Sequence, residues 1–290
     1  MSRPTVRYVP RIAVAFDFDE TLAPSTYPRV LEHCGFDPDA FVAERVVPLV
    51  RDHMWETPLA RNFALLEALR EDGRHLTHDD LRELGRDFPL YDGAPELFER
   101  VRSRARATLD EIEVEFHLIT AGYAEIPEHT AIAHEFAGIY GGALHFDDEG
   151  RVVAPKRVLT DAQKPRYLLQ IAKGLEFDGA NPLNAYRPVP KHEWHVPVEQ
   201  MIFLGDGASD LPAFRFMYEN AGLPIALRDE GAGDGWSHDD EAFGDRRVEN
   251  IAPSSYAEGG ELLESVLLAV DSIASRIALR RLSAGGYGDD

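Results

Sequence analysis

The sequence predicts an α/β fold with a largely parallel sheet, helices on both of its faces and one helical insertion. Short apolar runs alternate with helical segments along the 290 residues, an order typical of parallel strands joined by crossover helices. The first two apolar runs are separated by about 65 residues with helical apolar spacing. A chain of this length can form one main domain and a smaller companion.

The first strand is predicted at 12–16, where an apolar run leads into an acidic loop. Apolar residues three and four positions apart at 63–69 then indicate a helix, and Thr77 three residues before Asp80 is typical of a helix start. The next helix begins at the Gly-Ala-Pro of "YDGAPELFERVRSRA" and leads to a second strand at 114–120. The helical insertion therefore lies between two strands of one sheet.

The segment after the second strand is predicted to be helical up to about His134. The following stretch, "GALHFDDEGRVVA", is predicted to be a hairpin that turns at 148–150. A further helix is expected from about Lys164, and the third strong strand is "MIFLG" at 201–205. These elements continue the alternation of strands and helices.

The C-terminal part contains a fourth strand, "LPIAL", one helix after the third. The segment 230–246 is rich in Gly and Asp and is predicted to be a solvated loop. Apolar residues with helical spacing predict a long amphipathic helix over 257–282.

Composition excludes several classes of partner. With 51 acidic against 30 basic residues, the formal net charge is −21, which argues against binding to nucleic acid or to an anionic membrane surface. Cys34 is the single cysteine, so an intramolecular disulfide or a Cys-rich zinc site is excluded. No apolar stretch has the length of a signal peptide or a membrane span, and we expect a soluble, cytoplasmic protein.

Polar residues follow each of the three strongest strands. Asp17 and Asp19 come after the first, Thr120 ends the second, and Asp206 and Asp210 come after the third. Ligands of open α/β sheets bind beyond the carboxyl ends of the strands, where the strand order reverses. We therefore expect these five residues to converge on one edge of the sheet.

Four stretches resemble the motifs of the haloacid dehalogenase superfamily. "AFDFDETLAP" resembles the first motif, DxDx[TV], and "LITAGY" is similar to the second, a strand that ends in Thr or Ser. "GDGASDLPAF" is similar to the fourth motif, GDGxxD, and Lys164 in "TDAQKPRYLL" stands where the third motif supplies a lysine. In this order and spacing, the motifs cover the chain from Asp17 to Asp210.

The resemblance implies a Rossmann-like catalytic core of residues 1–24 and 91–290 and a helical cap of residues 25–90. The position of the helical insertion, between the first and second motifs, resembles the phosphoserine-phosphatase-like branch of the superfamily. Only a hairpin is predicted between the second and third motifs, which is similar to the same branch.

The resemblance also implies phosphoryl transfer through two aspartates. Asp17 would be the nucleophile, and an aspartyl-phosphate intermediate would divide one difficult hydrolysis into two steps. Asp19 would protonate the leaving oxygen and later take a proton from the attacking water. Its carboxyl must then be partly protonated near neutral pH, which a water-poor site and neighbouring carboxylates favour.

A metal site is implied by the same motifs. Mg²⁺ prefers a few oxygen ligands and bridges to phosphate, which suits Asp17, the backbone carbonyl of Asp19, and Asp206. Asp210 would support the site by orienting the metal ligands or the lysine. Gly207 would permit a close approach of the backbone.

The phosphoryl oxygens would be held from the second and third motifs. The Thr120 hydroxyl and nearby amides, including that of Ala121, would donate hydrogen bonds, and Lys164 would contribute its positive charge. Glu20 then has no catalytic role, and we expect it to be solvated or to contact the hinge of the cap.

The predicted function is hydrolysis of a small phosphorylated metabolite by a Mg²⁺-dependent phosphatase. A phosphoryl-transferring mutase is an open alternative because it shares the aspartyl-phosphate. Dehalogenation or phosphonate chemistry on the same fold is another, although dehalogenases do not need a second aspartate such as Asp19. A non-catalytic divalent-cation binder is a further alternative, although the spacing of an EF-hand fails at Thr21 and Leu22. The last alternative is a degenerate, regulatory member of the superfamily.

Specificity is expected to lie in the cap, with the stretches 25–41 and 53–66 as walls of the site. Phosphoserine phosphatases use an acidic residue soon after the first motif and a cap arginine. Here the first acidic residue in the cap is Glu32, and Arg61 is a candidate for the arginine. The aromatic residues Trp55 and Phe63 are expected to pack within the cap. The sequence predicts neither the substrate nor the oligomeric state.

Overall fold

The chain folds around one seven-stranded sheet in the computed structural model, which describes residues 8–176, 181–228 and 248–285. The strand order is β4-β3-β2-β1-β5-β6-β7. The strands are β1 (Arg11–Phe16), β2 (Glu113–Tyr123), β3 (Phe136–Phe146), β4 (Val152–Arg157), β5 (Met201–Gly205), β6 (Leu223–Arg228) and β7 (Asn250–Pro253). The predicted loop at 230–246 lies outside the described residues.

All strand pairs are parallel except that of β3 and the edge strand β4. The central strand β1 pairs with β2 on one side and with β5 on the other, so that Val14 lies between Phe116 and Ile202. The strand order therefore reverses at β1. This arrangement confirms the predicted α/β, Rossmann-like fold and brings the carboxyl ends of β1, β2 and β5 side by side.

Helices cover both faces of the sheet. The α-helices are α1 (Thr26–His33), α2 (Pro38–Phe41), α3 (Val47–His53), α4 (Thr57–Glu71), α5 (His78–Arg86), α6 (Ala94–Thr108), α7 (Lys164–Lys173), α8 (Leu211–Glu219) and α9 (Glu261–Gly285). Helices α1 to α5 and a π-helical turn lie between β1 and β2, where the sequence predicts the helical insertion. The predicted division into core and cap domains stays a prediction.

Alternate residues of β1 enter two separate apolar cores. Val14 and Phe16 point into the larger core with residues of α6 and α9, whereas Ala13 and Ala15 point into a second core with residues of α7 and α8. Successive side chains of a strand point to opposite faces, so an entirely apolar strand is buried on both sides. Such a strand places the residue that follows it within the protein interior.

Several local predictions are confirmed. Thr77 and Asp80 form a reciprocal capping box at the start of α5. The hairpin of β3 and β4 turns at 147–150, where the amide of Gly150 donates to the carbonyl of Asp147 over 2.9 Å. The C-terminal helix is also present, although it begins at Glu261, four residues later than predicted.

The helix predicted up to His134 is wrong. This segment instead contains two short 3₁₀ helices, Pro127–His129 and Ala133–Glu135. The Thr130 hydroxyl donates to the Pro127 carbonyl over 2.9 Å. In an α-helix, this carbonyl would instead accept from the backbone amide four residues later. This local side-chain bond competes with the helical pattern and ends it after one turn.

The expectation for Trp55 and Phe63 is also wrong. These side chains are 36% and 39% exposed, and their rings contact each other with centroids 4.8 Å apart. Helix α4 instead buries a face of small residues that includes Ala60, Ala64 and Ala68. Which face of a helix is buried depends on its packing partners, and aromatic composition alone does not determine it.

Within the described part of the chain, no helix combines the length and the apolar character that crossing a membrane requires.

Candidate active site at the carboxyl edge of the sheet

The ends of β1 and β5 and the start of α7 bring a set of charged groups together. Asp17 directly follows β1, and its backbone amide donates to the carbonyl of Leu204 in β5 over 2.9 Å. One carboxylate oxygen from each of Asp17, Asp206 and Asp210 lies within 4.8 Å of the other two. Lys164 reaches the same cluster from the first position of α7.

Lys164 is fully buried between two carboxylates. Its ammonium nitrogen lies 2.8 Å from Oδ2 of Asp17 and 2.6 Å from Oδ1 of Asp210. Burial alone would lower the pKa of Lys164, but the charges of the two carboxylates outweigh this effect and raise the pKa above its usual range. Lys164 therefore keeps its proton and holds both carboxylates in place.

Asp210 uses both of its carboxylate oxygens for structural contacts. Oδ1 accepts from Lys164, and Oδ2 accepts from the backbone amide of Asp206 over 3.1 Å. Burial raises the pKa of Asp210, and the nearby Lys164 ammonium opposes this rise. A Cβ atom at Gly205 would lie 2.2 Å from Oδ2 of Asp210, so this strand end must be glycine.

Asp206 is the least compensated carboxyl of the cluster. Burial and the charges of Asp17 and Asp210 raise the pKa of Asp206 to about 8. Three carboxylates face one ammonium, which leaves an excess of two negative charges when all the groups are ionised. The next residue, Gly207, has open space where a side chain would begin.

Asp17 is held in a defined orientation. Its Oδ1 accepts from the backbone amide of Phe18 over 2.7 Å, and its Oδ2 faces Lys164. The residue is only 4% exposed. Burial of a charged group is tolerated here because both oxygens have partners.

Asp19 belongs to a second, adjacent group. Its Oδ1 accepts from the backbone amide of Thr26 and its Oδ2 from the Thr26 hydroxyl, both over 3.0 Å. Burial and the charge of Asp17 raise the pKa of Asp19 to about 7, although the hydrogen bonds from Thr26 oppose this rise. At neutral pH this carboxyl can both donate and accept a proton.

The hydroxyl of Thr120 lies near Asp19 across a small gap beside Gly122. A Cβ atom at Gly122 would lie 3.0 Å from Oγ1 of Thr26, 3.3 Å from Oγ1 of Thr120 and 3.4 Å from Oδ2 of Asp19. The amide of Gly122 also donates to the Thr120 hydroxyl over 3.0 Å. Ala121, between them in β2, is half-buried.

Glu20 contacts the hinge, as one of the two sequence expectations proposed. Its Oε1 accepts from the amide of Ser25 over 2.7 Å, and its Oε2 accepts from the Tyr91 hydroxyl over 2.6 Å. Ser25 and Tyr91 lie at the two ends of the helical insertion. Glu20, which has a left-handed backbone (φ +56°), therefore links the entry and exit of that insertion.

The structure brings together most of the predicted site residues and adds others. One cluster of charged side chains consists of Asp17, Lys164, Asp206 and Asp210, and Asp19 and Thr120 lie beside Gly122 in a second group. Sequence reasoning missed Thr26 and Gly122. The glycine two positions after the Thr of the second motif was a usable signal, whereas nothing in the sequence pairs Thr26 with Asp19.

Among the described residues, Asp17, Asp206 and Asp210 are the group of three that could hold a metal ion. The side chain of Asp19 is not in this group, so its predicted contribution through the backbone carbonyl stays a prediction. Asp210 is fully buried and accepts from Lys164 and from the amide of Asp206, contacts that suit a residue that supports the other two.

Comparisons with known proteins identify the fold. No family model matches the sequence, and no curated protein matches it. A HAD-family hydrolase from Salmonella enterica serovar Typhi is similar in structure, with a TM-score of 0.58 at 14% identity, over 91% of this chain and 73% of that one. A probable phosphoserine phosphatase from Vibrio cholerae has a TM-score of 0.57 at 15% identity, over 94% and 68%.

A third solved structure, a phosphoserine phosphatase in its apo form, has a TM-score of 0.50 at 14% identity, over 83% of this chain and 92% of that one. Identities this low carry information on the fold alone. They confirm the fold that the four motifs implied: the chain has the fold of the haloacid dehalogenase-type hydrolases, phosphoserine phosphatases among them.

Proposed function

We propose that the protein is a haloacid dehalogenase-type phosphatase that hydrolyses a small phosphomonoester through an aspartyl-phosphate on Asp17. The main support for this proposal is the presence of two neighbouring groups of side chains at the edge of the sheet. One group holds Asp17 against Lys164, and the other holds Asp19, whose pKa is raised to about 7 by burial and by the charge of Asp17. A nucleophile and a proton-transfer group with separate environments are what such hydrolysis requires.

The donor set fits Mg²⁺. The cluster offers carboxylate oxygens only and has two negative charges in excess when all its carboxyls are ionised, which suits a hard divalent cation. Asp17 and Asp206, with the backbone carbonyl of Asp19, would hold it, and Asp210 would orient the set. When bound, Mg²⁺ offsets the negative charge of the carboxylates and of the phosphate, so that the two can approach.

In the first half of the reaction, a carboxylate oxygen of Asp17 attacks phosphorus and the bond to the ester oxygen breaks. The departing oxygen takes the proton of Asp19 and leaves as an alcohol. The Thr120 hydroxyl donates to a phosphoryl oxygen, and Lys164 orients the nucleophile. The product on the protein is an aspartyl-phosphate.

In the second half, water attacks the phosphorus of this acyl phosphate. Asp19, now ionised, takes a proton from the water, the bond from phosphorus to Asp17 breaks, and inorganic phosphate leaves. Asp19 regains its proton in this step and is ready for the next substrate. A pKa near the working pH suits a group that alternates between the two states.

The substrate class is a small phosphorylated metabolite, and phosphoserine is one member to test. The surroundings of Glu32 do not favour phosphoserine as the substrate, because this side chain is half exposed and forms an ion pair with Arg29 at 3.1 Å. Arg61 lies over the ring of Tyr27, with its guanidinium carbon 5.1 Å from the ring centroid. Burial raises the pKa of Asp161, and the charges of Lys164 and Arg61 oppose this rise, which supports a position of Arg61 near the site.

Turnover of p-nitrophenyl phosphate tests the proposal. We expect hydrolysis in the presence of Mg²⁺ and its loss in excess EDTA, with recovery when Mg²⁺ is restored, because the excess negative charge repels phosphate without a cation. A panel of phosphorylated metabolites then identifies the substrate. Activity that EDTA leaves unchanged contradicts the proposed dependence on Mg²⁺. A metabolite that is isomerised without release of inorganic phosphate indicates that the protein is a mutase.

Asp19→Asn is expected to slow the second half of the reaction by a factor of roughly 10² to 10⁴, since water then lacks its proton acceptor. p-Nitrophenolate is a good leaving group and needs little protonation, so the first half should persist. We expect a burst of p-nitrophenolate close to one equivalent per protein molecule, followed by slow turnover. Wild-type steady-state turnover by this variant would exclude Asp19 from the role.

A further inference from the structure

We infer that Thr26 positions Asp19 for proton transfer. This inference rests on the proposed function, and it assigns a role to a residue that lies outside the four motifs. Thr26 binds both oxygens of the Asp19 carboxyl, Oδ1 with its backbone amide and Oδ2 with its hydroxyl. Two bonds from one rigid residue fix both the position and the plane of the carboxyl group.

The start of helix α1 is arranged around this contact. Thr26 is the first residue of the helix, and the preceding Ser25 makes no capping bond with its side chain. The first turn of α1 contains no acidic residue either. Asp19, from outside the helix, thus provides an acceptor for one of the free amides of the helix N-terminus.

The hydroxyl of Thr26 adds what a backbone amide cannot provide. An amide can only donate, whereas a hydroxyl can donate to a carboxylate or accept from a carboxylic acid. The side-chain contact can therefore persist in both states through which Asp19 must pass. Thr26 is 3% exposed, so water does not readily replace this bond.

The contact also directs Asp19 toward the phosphate side of the site. The point where a Cβ atom of Gly122 would stand is 3.4 Å from Oδ2 of Asp19 and 3.3 Å from the Thr120 hydroxyl. The same point is 3.0 Å from the Thr26 hydroxyl. Thr26 therefore holds the carboxyl beside the hydroxyl that we propose contacts the phosphoryl group.

The test compares Thr26→Val with Thr26→Ser. Valine keeps the volume and removes the hydroxyl, and serine keeps the hydroxyl. Both variants are assayed on p-nitrophenyl phosphate and on phenyl phosphate, whose leaving group is more basic and depends more on protonation. For Thr26→Val we expect kcat/KM, which reports the first half of the reaction, to fall about 10- to 100-fold on phenyl phosphate and less on p-nitrophenyl phosphate. We expect kcat to fall on both esters, because the second half of the reaction also uses Asp19. Thr26→Ser should keep kcat within about threefold.

Thr130→Val is the matched control, since Thr130 is also buried and its hydroxyl donates to a carbonyl, that of Pro127. It should leave both kcat values unchanged, and the Tm of every variant is measured alongside. Wild-type values of kcat and kcat/KM in Thr26→Val overturn the inference, as does an equal loss of kcat/KM on both substrates that Thr26→Ser shares. A wild-type protein that hydrolyses neither ester contradicts the proposed function itself, and the inference with it.

Discussion

Asp17→Asn is expected to reduce turnover of p-nitrophenyl phosphate by about three orders of magnitude or more, because the amide cannot form the covalent intermediate. The variant should nevertheless fold. The amide oxygen can still accept from the Phe18 amide, and Lys164 keeps its bond to Asp210. Burial is the main cause of the raised pKa values of Asp19 and Asp206, and removal of the Asp17 charge relieves the repulsion that adds to it.

Steady-state kinetics with thermal unfolding of the same preparation checks this result. Asp271→Asn is a suitable control, because it removes a carboxylate from an ion pair with Arg104 whose members are 31% and 49% exposed. We expect the control to retain full activity. Substantial turnover by folded Asp17→Asn would exclude Asp17 as the nucleophile.

Lys164→Met is expected to destabilise the fold by about 3–5 kcal/mol, the usual consequence of removing one partner from a buried ion pair. Methionine has a similar volume, so the loss reports the charge. The ammonium lies 2.8 Å from the carboxylate of Asp17 and 2.6 Å from that of Asp210. Without it, both buried carboxylates lose this cation. The loss should be smaller at pH 5 than at pH 8, because the unpaired carboxyls can then take up protons.

Urea unfolding at the two pH values measures the effect. Lys173→Met on the same helix is the control: Lys173 donates to the carbonyls of Ala185 and Arg187, which are neutral acceptors, so we expect a loss of about 1 kcal/mol. The double variant Lys164→Met with Asp210→Asn should be less destabilised than Lys164→Met alone, because one unpaired charge is gone. Equal free energies of unfolding for Lys164→Met and the wild type would contradict the buried ion pair.

Much of the architecture could be predicted because it depends on local patterns. The apolar run of β1 is buried on both faces, which requires no more than a run of apolar residues of strand length. The capping box of Thr77 and Asp80 spans three residues and forms as the pattern predicts. Elements whose signal lies within a few residues were therefore placed close to their observed bounds.

Predictions failed where nearby polar groups or distant packing decided the outcome. The helical pattern before His134 is ended by the hydroxyl of Thr130, a competition that apolar periodicity does not register. Trp55 and Phe63 remain partly exposed because α4 packs with a different face. Both cases depend on the environment of a side chain rather than on its type.

The sequence by itself determined which chemical groups follow the strands, since Asp17, Thr120 and Asp206 stand directly at the ends of apolar runs. Only the tertiary structure decided how those groups are partnered. Lys164 meets Asp210 across 46 positions of the chain, and Glu20 meets Tyr91 across 71. Such contacts depend on the order of the strands and the packing of the helices, which local propensity does not encode. The pairing of charges at this edge of the sheet therefore arises from the fold.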